Sequence, residues 1–148
     1  MQRCLYGLII ILISSSCSTI QINYHRDRIL KKYSDDYKIY LDSSLIELKN
    51  YYLDRNNVKS VVRDKSKKAI HIDRDSMIEF LEFKEYFLEI KNDRMVILNG
   101  IPVESEKGKN LKVSPKSLME ITVLKNDSIN SQLFHRNYKD VIIFRIQE

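Results

Sequence analysis

The sequence predicts an α+β fold, a small mixed sheet with short helices on one face. Three observations predict it. Short apolar runs with strand periodicity recur between residues 37 and 146. Asn99-Gly100 stands between two of them, the strongest short-range hairpin signal. Ser114-Pro115 then places a helix start between two strand-like runs, which gives residues 95–146 the order β-α-β-α-β.

The elements follow in order. Tyr37, Ile39 and Leu41 alternate with Lys38, Tyr40 and Asp42, which predicts a strand. Residues 45–53, LIELKNYYL, suit strand or helix, and Asn56-Asn57 ends that run. Val58, Val61 and Val62 lead into a polar turn at 64–68, and AIHI at 69–72 predicts a short strand. Residues 75–90 carry apolar side chains at spacings of three and four, which predicts a helix capped by Asp75 or Ser76. Their aromatic content would also suit a pair of strands. Met95–Leu98 and Ile101–Val103 flank the Asn-Gly turn, and residues 104–112 read as an exposed loop. Ser114 as cap and Pro115 as first residue predict a short helix over 116–119. ITVL at 121–124 predicts a strand, Asn126 or Asp127 caps a helix reaching His135, and VIIFRI at 141–146 is the closing strand.

Composition bounds the class. The chain has 148 residues, 43% hydrophobic and 30% charged, which suits one small globular domain. The net charge of +5 would permit an anionic partner, but acidic residues are interleaved throughout. RDKSKK at 63–68 is the densest basic run, and it contains Asp64. No nucleic-acid-binding motif accompanies it, so it reads as a solvated turn and no nucleic-acid partner is expected.

Residues 1–16 have the grammar of an export signal. Arg3 supplies the positive region, Leu5 to Ile13 the apolar one, and Ser14 to Ser16 the small residues. The apolar run is about half of what a bilayer span requires. Cys17 after Ser15 and Ser16 resembles a bacterial lipobox, with Ser14 where that family carries Leu or Val. The resemblance implies cleavage before Cys17 and diacylation of its thiol, a palmitate-type modification. Two or three acyl chains hold a membrane stably where one is marginal. The alternative is a non-lipid signal cut at the serines. Cys4 leaves with the signal, so Cys17 is the one cysteine expected in the mature chain, with neither disulfide nor metal cluster. Residues 17–36 then read as a lipid-anchored polar tether and 37–148 as the folded domain.

VILNGIPVES at 96–105, VSPKSLMEITVLK at 113–125, DSINSQLFH at 127–135 and DVIIFRI at 140–146 occur in the order and spacing of a known pattern. Together they resemble the plug domain of TonB-dependent outer-membrane receptors, over about fifty residues. Asn99 replaces that family's acidic residue, and His135 and Asp140 stand near its later glycines. A barrel of about 22 strands does not fit in this chain, so receptor-type ligand binding and TonB coupling do not carry over. The resemblance implies a free-standing plug-like module.

An earlier segment repeats the pattern. YLDSSLIE at 40–47 fits onto ILNGIPVE at 97–104, NNVKSVVRDK at 56–65 onto KSLMEITVLK at 116–125, and AIHI at 69–72 onto VIIF at 141–144. This outlines two half-repeats, 37–72 and 95–146.

Catalytic patterns do not emerge. His25, His71 and His135 lack a second histidine at metal-ligand spacing. No serine sits in a G-x-S-x-G elbow, and Gly100 and Gly108 stand alone rather than in a phosphate loop. The expectation is therefore no enzyme, no catalytic or metal residues and no cofactor. The chain reads as an exported, lipid-anchored protein of the outer membrane, on its periplasmic side, acting by contact with an envelope protein. Loop 104–112 is a candidate contact. The rival reading is a small-ligand capture lipoprotein serving an outer-membrane transporter.

Overall fold

Strand-period runs become strands here wherever a second apolar run can pair with them. A computed structural model describes residues 18–84, 94–125 and 140–147. Among these residues lie twelve strands: β1 Thr19–Gln21, β2 Lys38–Leu41, β3 Ser44–Ile46, β4 Tyr51–Tyr52, β5 Val58–Asp64, β6 Ala69–Arg74, β7 Leu81–Glu82, β8 Arg94–Leu98, β9 Ile101–Pro102, β10 Lys112–Val113, β11 Leu118–Lys125 and β12 Asp140–Ile146. Two α-helices, α1 Arg26–Tyr33 and α2 Ser105–Gly108, and single 3-10 turns at Leu48–Asn50, Arg55–Asn57 and Pro115–Ser117 complete them. The strands form sheets ordered β1-β5-β6-β2-β3, β4-β10-β7 and β11-β12-β8-β9. Parallel and antiparallel pairs occur in the first and last of these, so the fold is α+β with mixed sheets.

The first and third sheets share one plan. Each opens with a hairpin (β2–β3, β8–β9), and a later strand pairs parallel with its first member (β6 on β2, β12 on β8). On the other side of that later strand each has an antiparallel partner (β5 on β6, β11 on β12), and the first sheet alone adds a strand, β1, beyond it. The registers coincide as well. Leu41 lies opposite Ile72 as Leu98 lies opposite Phe144. Val61 faces Ile72 as Ile121 faces Phe144, and a bulge follows Val58 as another follows Leu118. The cores match these registers. Ile39, Leu41, Val61, Ile70 and Ile72 pack in one buried cluster, and Val96, Leu98, Ile142, Phe144 and Ile146 in the other.

Three expectations change. The polar segment 17–36 is no tether from Ser18 onward. β1 pairs with β5, and α1 buries Arg26, Ile29 and Tyr33, three positions on one helical stripe. Its mean polarity hid three well-spaced anchors. The helix expected over 75–90 does not form over 75–82. The Asp75 N–H donates to the Asn57 carbonyl at 2.9 Å, and the Ser76 N–H donates to Asn57 Oδ1 at 3.0 Å. Asn57 Nδ2 also donates to the Ser76 carbonyl and Arg74 to the Ile78 carbonyl, each at 2.9 Å, which takes acceptors that a helix would give to its own later N–H groups. Leu81–Glu82 then joins β10 as β7. Residues 85–90 of that expected helix, and the one from 126 or 127 to 135, lie outside the described residues. The helix expected at 116–119 is the 3-10 turn Pro115–Ser117, because Leu118 already pairs with Ile146.

Both hairpins turn through positive φ at two residues, as type I′ turns require: Asp42 (47°) and Ser43 (69°), Asn99 (48°) and Gly100 (83°). Glycine adopts this region freely, whereas an L side chain costs about 1–2 kcal/mol there. Ser43 bears that strain and Gly100 does not. A Cβ at Gly100 would meet no atom within 4 Å, so conformation alone decides its substitution. Gly100→Ala should therefore lower unfolding stability by about 1 kcal/mol, and Ser43→Gly should raise it by up to about 1 kcal/mol. Urea unfolding of the two variants checks this; the same sign for both would contradict it.

Candidate functional site

The polar side chains that could carry chemistry are mostly engaged in holding the backbone. Asp42 is the clearest case. At the tip of the first hairpin it accepts from the Arg74 N–H at 2.9 Å and from Arg74 Nε at 2.6 Å, and both side chains are only 12% exposed. Arg74 also donates to the Ile78 carbonyl at 2.9 Å and lies over the Phe80 ring at 4.7 Å. Asn99 holds the equivalent place in the second half. Its Oδ1 accepts from the Ile146 N–H at 2.7 Å, and its Nδ2 donates to the Ile146 carbonyl at 3.0 Å.

Arg26, in the segment whose polarity predicts a tether, is buried on α1. Its Nε donates to the Tyr51 carbonyl at 2.9 Å and its NH2 nitrogen to the Lys49 carbonyl at 2.8 Å, with the guanidinium 3.9 Å from the Tyr52 ring centre. A buried guanidinium on two carbonyls and a ring is a staple between α1 and β4. The signal that marks it is local, since Arg26 shares a helical stripe with Ile29 and Tyr33.

The histidines do not converge. His25 is the residue before α1, His71 stacks on Tyr40 at 5.0 Å on β6, and His135 lies outside the described residues. Among the described residues no three of His, Cys, Asp and Glu gather as metal ligands would. Cys17 also lies outside the described residues.

The basic run 63–68 is a built turn. Asp64 accepts from the Ser66 hydroxyl at 2.6 Å and the Lys67 N–H at 3.1 Å, while Arg63 donates to the Tyr33 hydroxyl at 3.0 Å. The Ser66 hydroxyl above all, with the Lys67 N–H, holds the Asp64 carboxyl below its usual 3.8. The expected loop 104–112 contains α2, with Lys107 on Glu104 at 2.8 Å and Lys109 on Glu106 at 2.7 Å. Leu111 is buried behind it, so only part of this segment is open to a partner.

Two surface features remain. A groove of about 700 Å³ runs between α1 and the β2–β3 hairpin, lined by Leu30, Tyr37, Ile39, Leu45, Ile46 and Leu48 with mixed charges at its rim. The other is the distribution of exposed aliphatic side chains. Ile20, Leu45, Leu81, Ile101, Met119, Ile121 and Val123 all stand on strands that end a sheet. Met77 is the one exposed large apolar residue off a strand among the described residues. Edge strands in stable monomers usually carry charges instead.

No family model, no curated protein and no solved structure matches this chain.

Two outcomes follow from the polar contacts. Asp42→Ala removes the partner of a nearly buried guanidinium and should cost about 2–4 kcal/mol in denaturant unfolding, and a loss under about 0.5 kcal/mol would show the pair to be incidental. Asp64 has a lowered folded pKa, so its contribution is full above pH 3.8 and is lost as pH falls through the lower folded value. Ser66→Ala should move that pKa up toward 3.8, read by carboxyl-carbon NMR titration; an unmoved titration would remove the hydroxyl as the cause.

Proposed function

We propose that this chain is an exported envelope protein, held by lipid on Cys17, that works by protein–protein contact at the periplasmic face of the outer membrane. The signal-like segment 1–16 and the lipobox-like serines before Cys17 support the anchoring. The plug-like order of VILNGIPVES, VSPKSLMEITVLK and DVIIFRI supports a contact module without a barrel. The observation that carries the contact reading is the set of aliphatic side chains on edge strands. Unpaired strand edges bearing Ile, Leu and Val present both main-chain hydrogen bonds and apolar surface to another strand. Asp42, Arg74, Arg26 and Asn99 support it from the other side, since their polar atoms serve the fold.

The groove between α1 and β3 favours a second reading, capture of a small apolar ligand. Its volume lies within the range of ligand sites. Leu45→Asp would abolish such binding and leave contacts at β11 intact.

Cys17→Ala should release the protein from the membrane fraction into the soluble one. Retention of the variant in the membrane would defeat the lipid-anchor reading. The acylated protein should recover an envelope protein when pulled down from solubilised membranes, and recovery of none would defeat the contact reading.

A further inference from the structure

The two halves differ at one strand edge. In the first half β1 runs antiparallel along β5, with Ile20 opposite Arg63 and Gln21 opposite Val62. The Ile22 N–H donates to the Val61 carbonyl, and the Lys65 N–H donates to the Ser18 carbonyl, each at 2.9 Å. Val61 and Lys65, and Arg63 between them, therefore turn their backbone groups toward β1. β11 is the counterpart of β5, with the same register on its neighbour and the same bulge. Ile121 and Val123 stand where Val61 and Arg63 stand, so their N–H and C=O groups point away from β12. Among the described residues no strand takes them. β11 ends its sheet.

We propose that β11 pairs antiparallel with β11 of a second copy, about a two-fold axis at Thr122. Three features of the strand commit it to its own copy. Ile121 lies opposite Phe144 and Val123 opposite Ile142, so both side chains belong on the core-facing side, where they are 46% and 52% exposed. With Thr122 opposite Thr122, Ile121 meets Val123 of the other chain in both directions. Those two pairs are the ones whose backbone groups face outward, so each exchanges both hydrogen bonds, while the threonines form the close pair without them. The middle of the strand, Ile121 to Leu124, carries no charge, and Glu120 meets Leu124, so no like charges oppose. A shift of two residues one way would set Ile121 opposite Lys125, and the other way would set Glu120 opposite Thr122. The contact is isologous and closes, joining two four-stranded sheets into one of eight. Ile20 of β1 and Ile22 just after it give β5 the same aliphatic alternation that Ile121 and Val123 would give each other.

This deepens the contact reading, yet its readout is self-association of the purified chain and needs no envelope partner. The full chain carrying Cys4→Ser and Cys17→Ser leaves any added cysteine as the only thiol. Thr122→Cys on that background should oxidise to a disulfide dimer, because close antiparallel pairs hold Cα atoms about 4.5 Å apart, within disulfide reach. Ser44→Cys, an exposed thiol on β3, should remain monomeric under the same oxidant. Sedimentation of the cysteine-free chain should show a concentration-dependent dimer. Val123→Lys should weaken it by about tenfold or more while leaving the circular dichroism spectrum unchanged. A chain that stays monomeric, a Thr122→Cys variant that crosslinks no faster than Ser44→Cys, or a folded Val123→Lys variant that dimerises undiminished would each overturn the proposal. Capture of a different envelope protein by a monomeric chain would overturn it too and leave the contact reading standing.

Discussion

The bonds made at residues 42 and 99 are the constraint on which both sheets depend. In each half the residue at the hairpin tip donates its N–H to the closing strand, Asp42 to Ile72 and Asn99 to Phe144, both at 2.9 Å. Its side chain then takes the backbone two residues further on, at Arg74 or Ile146. The hairpin is thereby locked to a strand some 32 or 47 residues away in sequence. Parallel pairing of β2 with β6 and of β8 with β12 follows from that lock, and the buried rows Ile70–Ile72 and Ile142–Phe144 follow from the pairing. A short acceptor that tolerates positive φ is needed at this place, which asparagine and aspartate supply.

Much of this was legible in the residues. Asn99-Gly100 announced its turn, and VIIFRI and AIHI announced strands, because these signals are local and depend on backbone sterics and apolar periodicity alone. The fit of YLDSSLIE onto ILNGIPVE and of AIHI onto VIIF aligns the same residue pairs that the sheet registers align. What stayed hidden was decided by distant partners. Arg26 looks like solvent-facing charge until the carbonyls of Lys49 and Tyr51 arrive. DSMIEF has helical spacing, yet Asn57, nineteen residues earlier, captures its backbone at Ser76. The same limit applies to the candidate site, since edge exposure depends on strand order, which periodicity does not encode. Ile121 and Val123 read as ordinary strand residues, and only the sheet order places them at a rim.

The division of labour between polar and apolar residues is unusual in this chain. Long-range polar contacts such as Asp42–Arg74 and Asn99–Ile146 are tucked under the turns, and aliphatic residues are left at the margins of the sheets. The guanidinium groups of Arg26 and Arg74 and the amide of Asn99 hold backbone carbonyls and turns in place.

The doubled plan also bears on how the chain reaches its native state. The first half pairs β5 with β6 across a tight turn and closes a loop of 32 residues at Asp42–Arg74, while the second half closes one of 46 at Arg94–Asp140. The entropic difference between the two closures is only about 0.3 kcal/mol, so neither half is strongly favoured to organise first on that ground. The sheet β4-β10-β7 is different. It is built from two-residue strands, β4 of the first half, β10 of the second and β7 from between them, with β10 parallel to β4. The small middle sheet is thus the seam of the fold: its strands are only two residues long, yet it buries Val113 completely and ties the two halves into one body.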